Sequence, residues 1–167
     1  VTPIQQITAI SAVLNGGNLL KPYVLASVLE PETGNVMYQN KKTVVRKTIS
    51  KETSKTMRYA LETVVALGGG KAAYIDGYRI GGKTGTSEPI YTQKDNGYVA
   101  SYCAIAPVED TQVTLLLTLY DPPANNHQGG TLAGPVVSQM LSEILPYLGI
   151  PSSETADSNS SDAITVP

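Results

Sequence analysis

The sequence predicts an α+β fold in which a three-stranded antiparallel meander is flanked by helices. Three segments with strand composition, 78–86, 98–106 and 112–120, follow one another closely, and short connections favour antiparallel pairing because parallel crossovers need a dozen or more residues. The last segment contains the apolar run Val-Thr-Leu-Leu-Leu-Thr-Leu, which is typical of a strand covered on both faces. Apolar residues then recur every four positions over 131–148 and predict a helix long enough to cover the meander: Leu132, Val136, Met140, Ile144 and Leu148.

The chain opens with a helix start signal. Thr2-Pro3-Ile4-Gln5 combines a capping box with Pro at the first helical position. Ile4, Ile7 and Leu14, together with Ile10 or Ser11, fall on one stripe of that helix, and Gly16-Gly17 ends it.

A hairpin and a second helix are predicted next. Segments 22–30 and 36–39 flank Pro31-Glu32-Thr33-Gly34-Asn35, which has the composition of a hairpin turn, and 43–46 adds a short strand. Ser50 is the expected N-cap of the second helix, and Gly68-Gly69-Gly70 ends it. Its predicted buried stripe consists of Met57, Leu61, Val64 and Val65.

Composition excludes several classes of function. Lys and Arg number 12 against 14 Asp and Glu, so no strong field exists to attract nucleic acid, and we expect no nucleic-acid partner. A single cysteine, Cys103, and a single histidine, His127, exclude an internal disulfide, a thiolate zinc cluster and a histidine pair. We expect no metal and no cofactor. No apolar run approaches the ~20 residues that span a bilayer, and because Val1 is not Met we expect an excised fragment with its targeting segments elsewhere.

Residues 77–84 fit the phosphate-loop pattern letter for letter as Gly-Tyr-Arg-Ile-Gly-Gly-Lys-Thr. Phosphate binding by that loop requires a strand ending before Gly77 and a helix beginning at Lys83. The preceding segment 68–73 does not have strand composition, and Gly85 and Pro89 disfavour a helix after Lys83. A nucleotide-binding protein is therefore the alternative interpretation, and a non-catalytic interaction module is a third.

The preferred interpretation takes Lys83-Thr84-Gly85 as the K-T-G signature of penicillin-recognising serine acyl-transferases. Its context is a Gly-Gly-Lys-Thr-Gly-Thr-Ser strand, a strand ending Ile105-Ala106-Pro107, an apolar strand ending Asp121-Pro122, and a helix after Gly129-Gly130. That order resembles the C-terminal half of the transpeptidase domain of class B penicillin-binding proteins, whose sheet has five strands. The resemblance extends back to Val-Thr-Pro-Ile-Gln at the start of the chain and to Asn-Gly-Gly after the first helix.

The resemblance implies roles for residues 83–86 in a serine-type peptidoglycan D,D-transpeptidase. Lys83 would place a positive charge in the cleft. The hydroxyls of Thr84 and Thr86 would hold the terminal carboxylate of a D-alanyl-D-alanine stem peptide or of a β-lactam, and the Thr86 N–H would be one oxyanion-hole donor. Gly81, Gly82 and Gly85 would leave the strand edge open for the substrate backbone.

The sequence departs from the family in lacking the nucleophile. No Ser is followed by Lys three residues later, and no Ser-x-Asn triplet occurs. We therefore expect the serine and the missing N-terminal half of the domain to lie upstream of Val1, the parent to act on the extracytoplasmic face of the membrane through an anchor outside this fragment, and the fragment alone to be inactive.

The expected domain organisation is transpeptidase over 1–150, a polar linker over 151–163, and the start of a PASTA domain at 164–167, as in sporulation-type members of the family. Among single residues, His127 is expected to be an exposed loop residue, Cys103 a buried and unreactive thiol, and Asp121 a loop-shaping residue. Tyr91 and Tyr98 either line the groove or pack in the core.

Overall fold

The computed structural model of the chain describes residues 1–88, 97–123 and 125–152. The chain divides into two compact units, Val1–Met57 and Arg58–Pro167. Predicted features that fall on the remaining residues, including Tyr91, all but the first two residues of the predicted linker, and the predicted PASTA start at 164–167, lie outside the described residues.

The first unit begins with helix α1, Pro3–Leu14, and confirms the predicted capping box. Thr2 Oγ1 accepts a hydrogen bond from the Gln5 N–H at 3.4 Å, and Gln5 Oε1 accepts one from the Thr2 N–H at 2.9 Å. The helix ends before Gly16 and Gly17, which adopt φ values of 84° and 90°. Glycine favours this left-handed region because it has no Cβ.

Four short strands follow α1 in two antiparallel pairs: β1, Asn18–Leu20, with β4, Val44–Lys47, and β2, Ser27–Leu29, with β3, Val36–Gln39. The β2–β3 hairpin confirms the turn predicted at 31–35. Strand β1 was not expected, because three residues directly after a glycine pair carry too little alternation to predict a strand.

Helix α2 spans Lys51–Leu67, and Ser50 Oγ accepts a hydrogen bond from the Thr53 N–H at 3.0 Å, as its expected capping role requires. The predicted burial of Met57 is wrong, since this side chain is 39% exposed. Ser54 is buried instead, and its hydroxyl accepts a hydrogen bond from the Gly16 N–H at 2.9 Å. The buried stripe of α2 therefore includes a polar residue that an apolar pattern could not identify.

The second unit contains the predicted meander. Strands β5, Gly81–Ser87, β6, Val99–Ala106, and β7, Val113–Tyr120, pair antiparallel in the order β5-β6-β7. Helix α3, Gly129–Tyr147, follows β7 and packs against the sheet. Their shared core includes Tyr102, Ala104, Ala133, Val137 and Leu141. The α+β prediction is confirmed.

The face of α3 that is buried differs from the predicted one. Val136, Met140 and Leu148 of the predicted stripe are 43%, 38% and 51% exposed. The helix instead buries Gly134 and four residues that each lie one position further along the chain than a predicted one: Ala133, Val137, Leu141 and Leu145. Small residues allow α3 to pack closely against the segment that contains Ala72, because a Cβ at Gly134 would lie 2.7 Å from the Ala72 Cβ. Close packing of small residues decides the orientation of α3 in place of the long apolar repeat.

Strand β5 begins three residues later than predicted. Gly77 adopts a φ of 73°, and the Tyr78 N–H donates to the Ile75 carbonyl at 3.2 Å, so a turn occupies 75–78. Lys83 then lies within a strand, whereas a phosphate-binding loop would require a helix to begin there. The nucleotide-binding alternative is therefore wrong.

The described ranges contain neither a membrane-spanning helix nor a cluster of metal-binding side chains. No helix there is long and apolar enough to cross a membrane. Within the same ranges, no three His, Cys, Asp or Glu side chains cluster in a way that would hold a metal ion.

Candidate active site

The four residues predicted for the site lie on β5, which is an edge strand because it pairs only with β6 in the described part of the sheet. Lys83 and Gly85 are opposite Cys103 and Ser101, so they lie on one face of the sheet. Thr84 and Thr86 are opposite Tyr102 and Ala100 and lie on the face that α3 covers. The edge position is the one that the expected role of this strand requires.

Lys83 presents its ammonium group at the open edge of the sheet. The side chain is exposed, and Nζ donates a hydrogen bond to the carbonyl oxygen of Thr84 at 2.8 Å. A lysine here supplies a positive charge that remains accessible to an anionic ligand lying beside β5.

The hydroxyl of Thr86 is bonded to the start of α3. The Gly129 N–H donates to Thr86 Oγ1 at 3.2 Å, and this N–H belongs to the first turn of the helix, where backbone donors have no partner within the helix. Because the oxygen accepts from Gly129, the hydroxyl hydrogen of Thr86 is left to donate to another acceptor. The Thr86 side chain can therefore act as a hydrogen-bond donor at this position.

Glycines at the start of α3 make this contact possible. A Cβ at Gly129 would lie 2.3 Å from the Ser101 carbonyl oxygen and 2.4 Å from that of Gly85. A Cβ at Gly130 would lie 3.2 Å from Thr84 Cγ2. This glycine pair therefore permits a tight entry into the last helix.

The space that side chains at Gly81 and Gly85 of β5 would occupy is already taken by other residues of the chain. A Cβ at Gly81 would lie 2.9 Å from Ile105 Cγ1, and one at Gly85 would lie 2.6 Å from Ser101 Oγ. Contacts this short are essentially never made by a real Cβ. Packing against α2 and β6 is thus a sufficient reason for these glycines, in addition to the predicted need to keep the strand edge open.

Two groups on β6 have pKa values raised by burial. Tyr102 is fully buried, its hydroxyl donates to the Gly70 carbonyl at 2.7 Å, and burial raises its pKa to about 12. Burial likewise raises the pKa of the half-buried Cys103 thiol to about 11. Because the thiolate is the reactive form, this agrees with the expectation that Cys103 is unreactive.

The segment that leads into β5 is held by an ion pair that the sequence did not indicate. Arg79 Nε and Nη2 donate to the two carboxylate oxygens of Glu62 on α2 at 2.6 and 2.7 Å. These hydrogen bonds raise the pKa of Arg79 above its usual value. A bidentate pair holds both groups in a defined geometry, so the residues just before β5 are tied to α2.

His127 was expected to be exposed, and the structure corrects this. The half-buried imidazole stacks on the ring of Tyr98, with ring centroids 3.8 Å apart and an interplanar angle of 18°. Asp121 begins the same loop with a φ of 54°, and its N–H donates to the Tyr98 carbonyl at 2.9 Å. The loop-shaping role expected of Asp121 is confirmed. The stack joins residues 29 positions apart, a separation at which local patterns carry no signal.

Comparison with known proteins identifies the family of the chain. Residues 1–142 match the family described as the penicillin binding protein transpeptidase domain. This match covers most of the chain, so the chain belongs to the penicillin-binding protein transpeptidase family.

Particular relatives and structures refine this assignment. The chain is 40% identical over 152 residues to Stage V sporulation protein D of Bacillus subtilis strain 168, which covers 90% of this chain and 24% of the relative. It is 30% identical over 169 residues to the Peptidoglycan D,D-transpeptidase FtsI homolog of Mesostigma viride, with 92% and 28% covered. The D,D-transpeptidase domain of a peptidoglycan glycosyltransferase from Eggerthella lenta superposes with a TM-score of 0.73 at 28% identity, over 90% of this chain and 33% of that one. The chain thus spans about a quarter of the length of these curated relatives.

Proposed function

We propose that this chain forms the substrate-carboxylate and oxyanion wall of a serine-type peptidoglycan D,D-transpeptidase. The observation that carries the proposal is the placement of Lys83-Thr84-Gly85-Thr86 on the edge strand β5, beside the start of α3. The ligand is the D-alanyl-D-alanine end of a peptidoglycan stem peptide, or a β-lactam in its place.

Electrostatics at this edge favour a carboxylate. Lys83 supplies a full positive charge, and the first turn of the 19-residue helix α3 supplies partial positive charge next to Thr86. Thr86 donates its hydroxyl hydrogen to the carboxylate, and Thr84 supplies a second hydroxyl. Gly85 between them has no side chain, so the end of the peptide can approach the backbone of β5.

The backbone of β5 supplies the oxyanion donor. On an edge strand every second residue directs its N–H and C=O away from the neighbouring strand. The Lys83 ammonium reaches the Thr84 carbonyl, which is consistent with Thr84 and, two residues later, Thr86 facing the open side. The Thr86 N–H then stabilises the oxyanion that forms when the substrate carbonyl is attacked.

The attacking serine belongs to a part of the domain that is not among these residues. The sequence has neither Ser-x-x-Lys nor Ser-x-Asn, and the relatives extend well beyond the matched region. In the complete domain the serine Oγ bonds to the carbonyl carbon of the penultimate D-alanine, the peptide bond to the last D-alanine breaks, and that residue leaves with a proton. This chain contributes binding and stabilisation to the step and forms no covalent bond itself.

The cellular setting follows from the same assignment. We place the transpeptidase part at 1–150, followed by a linker over 151–163 and the start of a PASTA domain at 164–167. The parent protein works on the extracytoplasmic face of the membrane, where peptidoglycan is assembled. The 40% identity to Stage V sporulation protein D supports a sporulation-type member of the family.

Acylation of the intact domain by a fluorescent penicillin tests the proposal. Lys83→Ala should slow acylation roughly hundredfold, because a charge and a charge-assisted hydrogen bond are lost together. Thr86→Val should slow it roughly tenfold, because one hydrogen bond to a charged group is lost. Lys42→Ala and Thr63→Val are matched controls, since both residues are exposed and lie outside the site. Acylation of both site variants at the parent rate would show that the site is elsewhere.

A further inference from the structure

The rings of Tyr98 and His127 stack on each other, and each residue lies within two positions of a residue that contacts β5. Tyr98 directly precedes β6, whose first residue, Val99, is paired with Ser87 at the end of β5. His127 is two residues before Gly129, the residue that donates to Thr86. The stack therefore connects the start of β6 to the segment that enters α3.

The loop between β7 and α3 is tied to the sheet at three points. At its beginning the Asp121 N–H donates to the Tyr98 carbonyl at 2.9 Å. Near its end the His127 ring lies 3.8 Å from the Tyr98 ring. At its exit the Gly129 N–H donates to Thr86 Oγ1 at 3.2 Å. Tyr98 takes part in two of these contacts, one through its backbone and one through its ring.

The middle contact lies two residues before the last one. The hydrogen bond from Gly129 to Thr86 is long for an N–H···O bond, so it does not by itself fix the segment that leads into α3. Stacking of two planar rings restrains this segment in distance and in angle. A threonine hydroxyl can rotate, and the hydrogen bond that its oxygen accepts from Gly129 restricts this rotation and leaves the hydroxyl hydrogen to donate elsewhere.

We propose that Tyr98 and His127 are positioning residues that hold the start of α3 against Thr86, so that the Thr86 hydroxyl donates to the carboxylate of the ligand. This inference rests on the proposed function. Neither ring needs to touch the ligand. Their effect is on recognition of the carboxylate and is transmitted through Gly129 and Thr86.

The test compares two probes on the intact transpeptidase: a fluorescent penicillin with a free carboxylate and the same penicillin as its methyl ester. The ratio of their acylation rate constants measures the preference for the carboxylate. His127→Ala and Tyr98→Ala should each lower this ratio roughly threefold to tenfold, the range that an aromatic pair is worth. Tyr98→Phe keeps two stacked rings and should keep the ratio within about twofold of the parent. Tyr147→Ala is the matched control, since this tyrosine is 88% exposed at the far end of α3.

A double-mutant cycle separates positioning from a general loss of structure. In a Thr86→Val background, His127→Ala should lower the ratio no further, because the hydroxyl that it positions is already absent. If His127→Ala does not fold, His127→Leu removes the aromatic ring while retaining bulk and takes its place in the cycle.

Four outcomes would overturn the inference, and the last of them would also overturn the proposed function. The first is an equal slowing of both probes by the alanine variants, and the second is an additive loss in the Thr86→Val background. The third is an unchanged ratio in the His127 variants when Thr86→Val lowers it, which leaves the proposed function intact. An unchanged ratio in Thr86→Val itself would refute the proposed carboxylate site and this inference with it.

Discussion

Gly82 lies directly against the ring of Tyr102, so that a Cβ at Gly82 would be 2.6 Å from Tyr102 Cε1. The ring is also held in place by its hydroxyl, which donates to the Gly70 carbonyl at 2.7 Å. The glycine immediately before Lys83 is therefore required by the core beneath the candidate site. Packing of this ring helps to determine the position of β5.

Substitution of Gly82 tests this packing. Gly82→Ala should lower the free energy of unfolding by about 1–3 kcal/mol, because the new methyl group has to displace a fully buried ring. Gly69→Ala is the matched control, since a Cβ there would meet nothing within 4 Å, and it should change stability by no more than about 0.5 kcal/mol. Denaturant unfolding of the intact domain measures both. Equal stability of the two variants would contradict the packing argument.

Alkaline stability should depend on Tyr102 and Cys103. Burial raises the Tyr102 pKa from 10.0 to about 12 and the Cys103 pKa from 9.0 to about 11. The folded state then holds protons that the unfolded state has lost, so stability falls as the pH rises through 9–11 for Cys103 and 10–12 for Tyr102. Both contributions are fully present below pH 9.

Unfolding of the intact domain at a series of pH values measures this effect. Cys103→Ala should remove the part of the loss that begins near pH 9, and Tyr102→Phe should remove the part that extends to pH 12. Lys42→Ala, at an exposed position, should leave the profile unchanged. An identical pH profile in the unsubstituted domain, in Cys103→Ala and in Tyr102→Phe would show that neither group is deprotonated at a cost to folding.

The chain alone should form no covalent adduct with penicillin. No Ser-x-x-Lys is present, so the proposed carboxylate and oxyanion wall has no activated serine of that kind among these residues. Mass spectrometry of the intact chain after incubation with a β-lactam gives the measurement, and the complete transpeptidase domain serves as the positive control. An adduct one β-lactam heavier than the chain would place a nucleophile within these residues.

Local signals in the sequence were enough to predict the meander, the capping box of α1 and the cap of α2. Each depends on residues a few positions apart, such as Thr2 with Gln5 and Ser50 with Thr53. The predicted meander permitted residues 83–86 to lie on an edge strand, since the first strand of a meander can lie at its edge, and the family resemblance implied that position.

Features that depend on distant contacts could not be predicted. The apolar repeat in α3 indicated Val136 and Met140 as buried, but the helix turns its small residues Ala133 and Gly134 toward the sheet. Choosing between these faces requires knowledge of the Tyr102 ring that occupies the opposite surface. The pairs Arg79–Glu62 and Tyr98–His127 likewise join side chains 17 and 29 positions apart, and each residue alone is typical of a solvated surface.

The isolated chain should self-associate through β7. In the described sheet this strand is paired with β6 on one side only, and it carries four leucines along its eight residues. An open apolar strand edge invites pairing with another chain, and the exposed Val136 and Met140 on α3 add apolar surface. The average mass in sedimentation velocity should therefore rise across a concentration series, and co-expression with the remainder of the domain should restore both a single species and penicillin binding.

Two lysine substitutions on β7 distinguish edge pairing from loss of the fold. Leu117 packs against the core cluster, so Leu117→Lys should unfold the second unit and increase aggregation, because it would bury an unpaired charge. Leu116 alternates to the opposite face, in register with Cys103, so Leu116→Lys should leave the core intact. It should lower the tendency to associate, because a charged side chain on an edge strand disfavours pairing with a second chain. The contrary result is an unsubstituted chain that sediments as a compact monomer at every concentration and unfolds in one sharp cooperative transition. In that case the open edge of β7 needs no partner and the expectation of self-association is wrong.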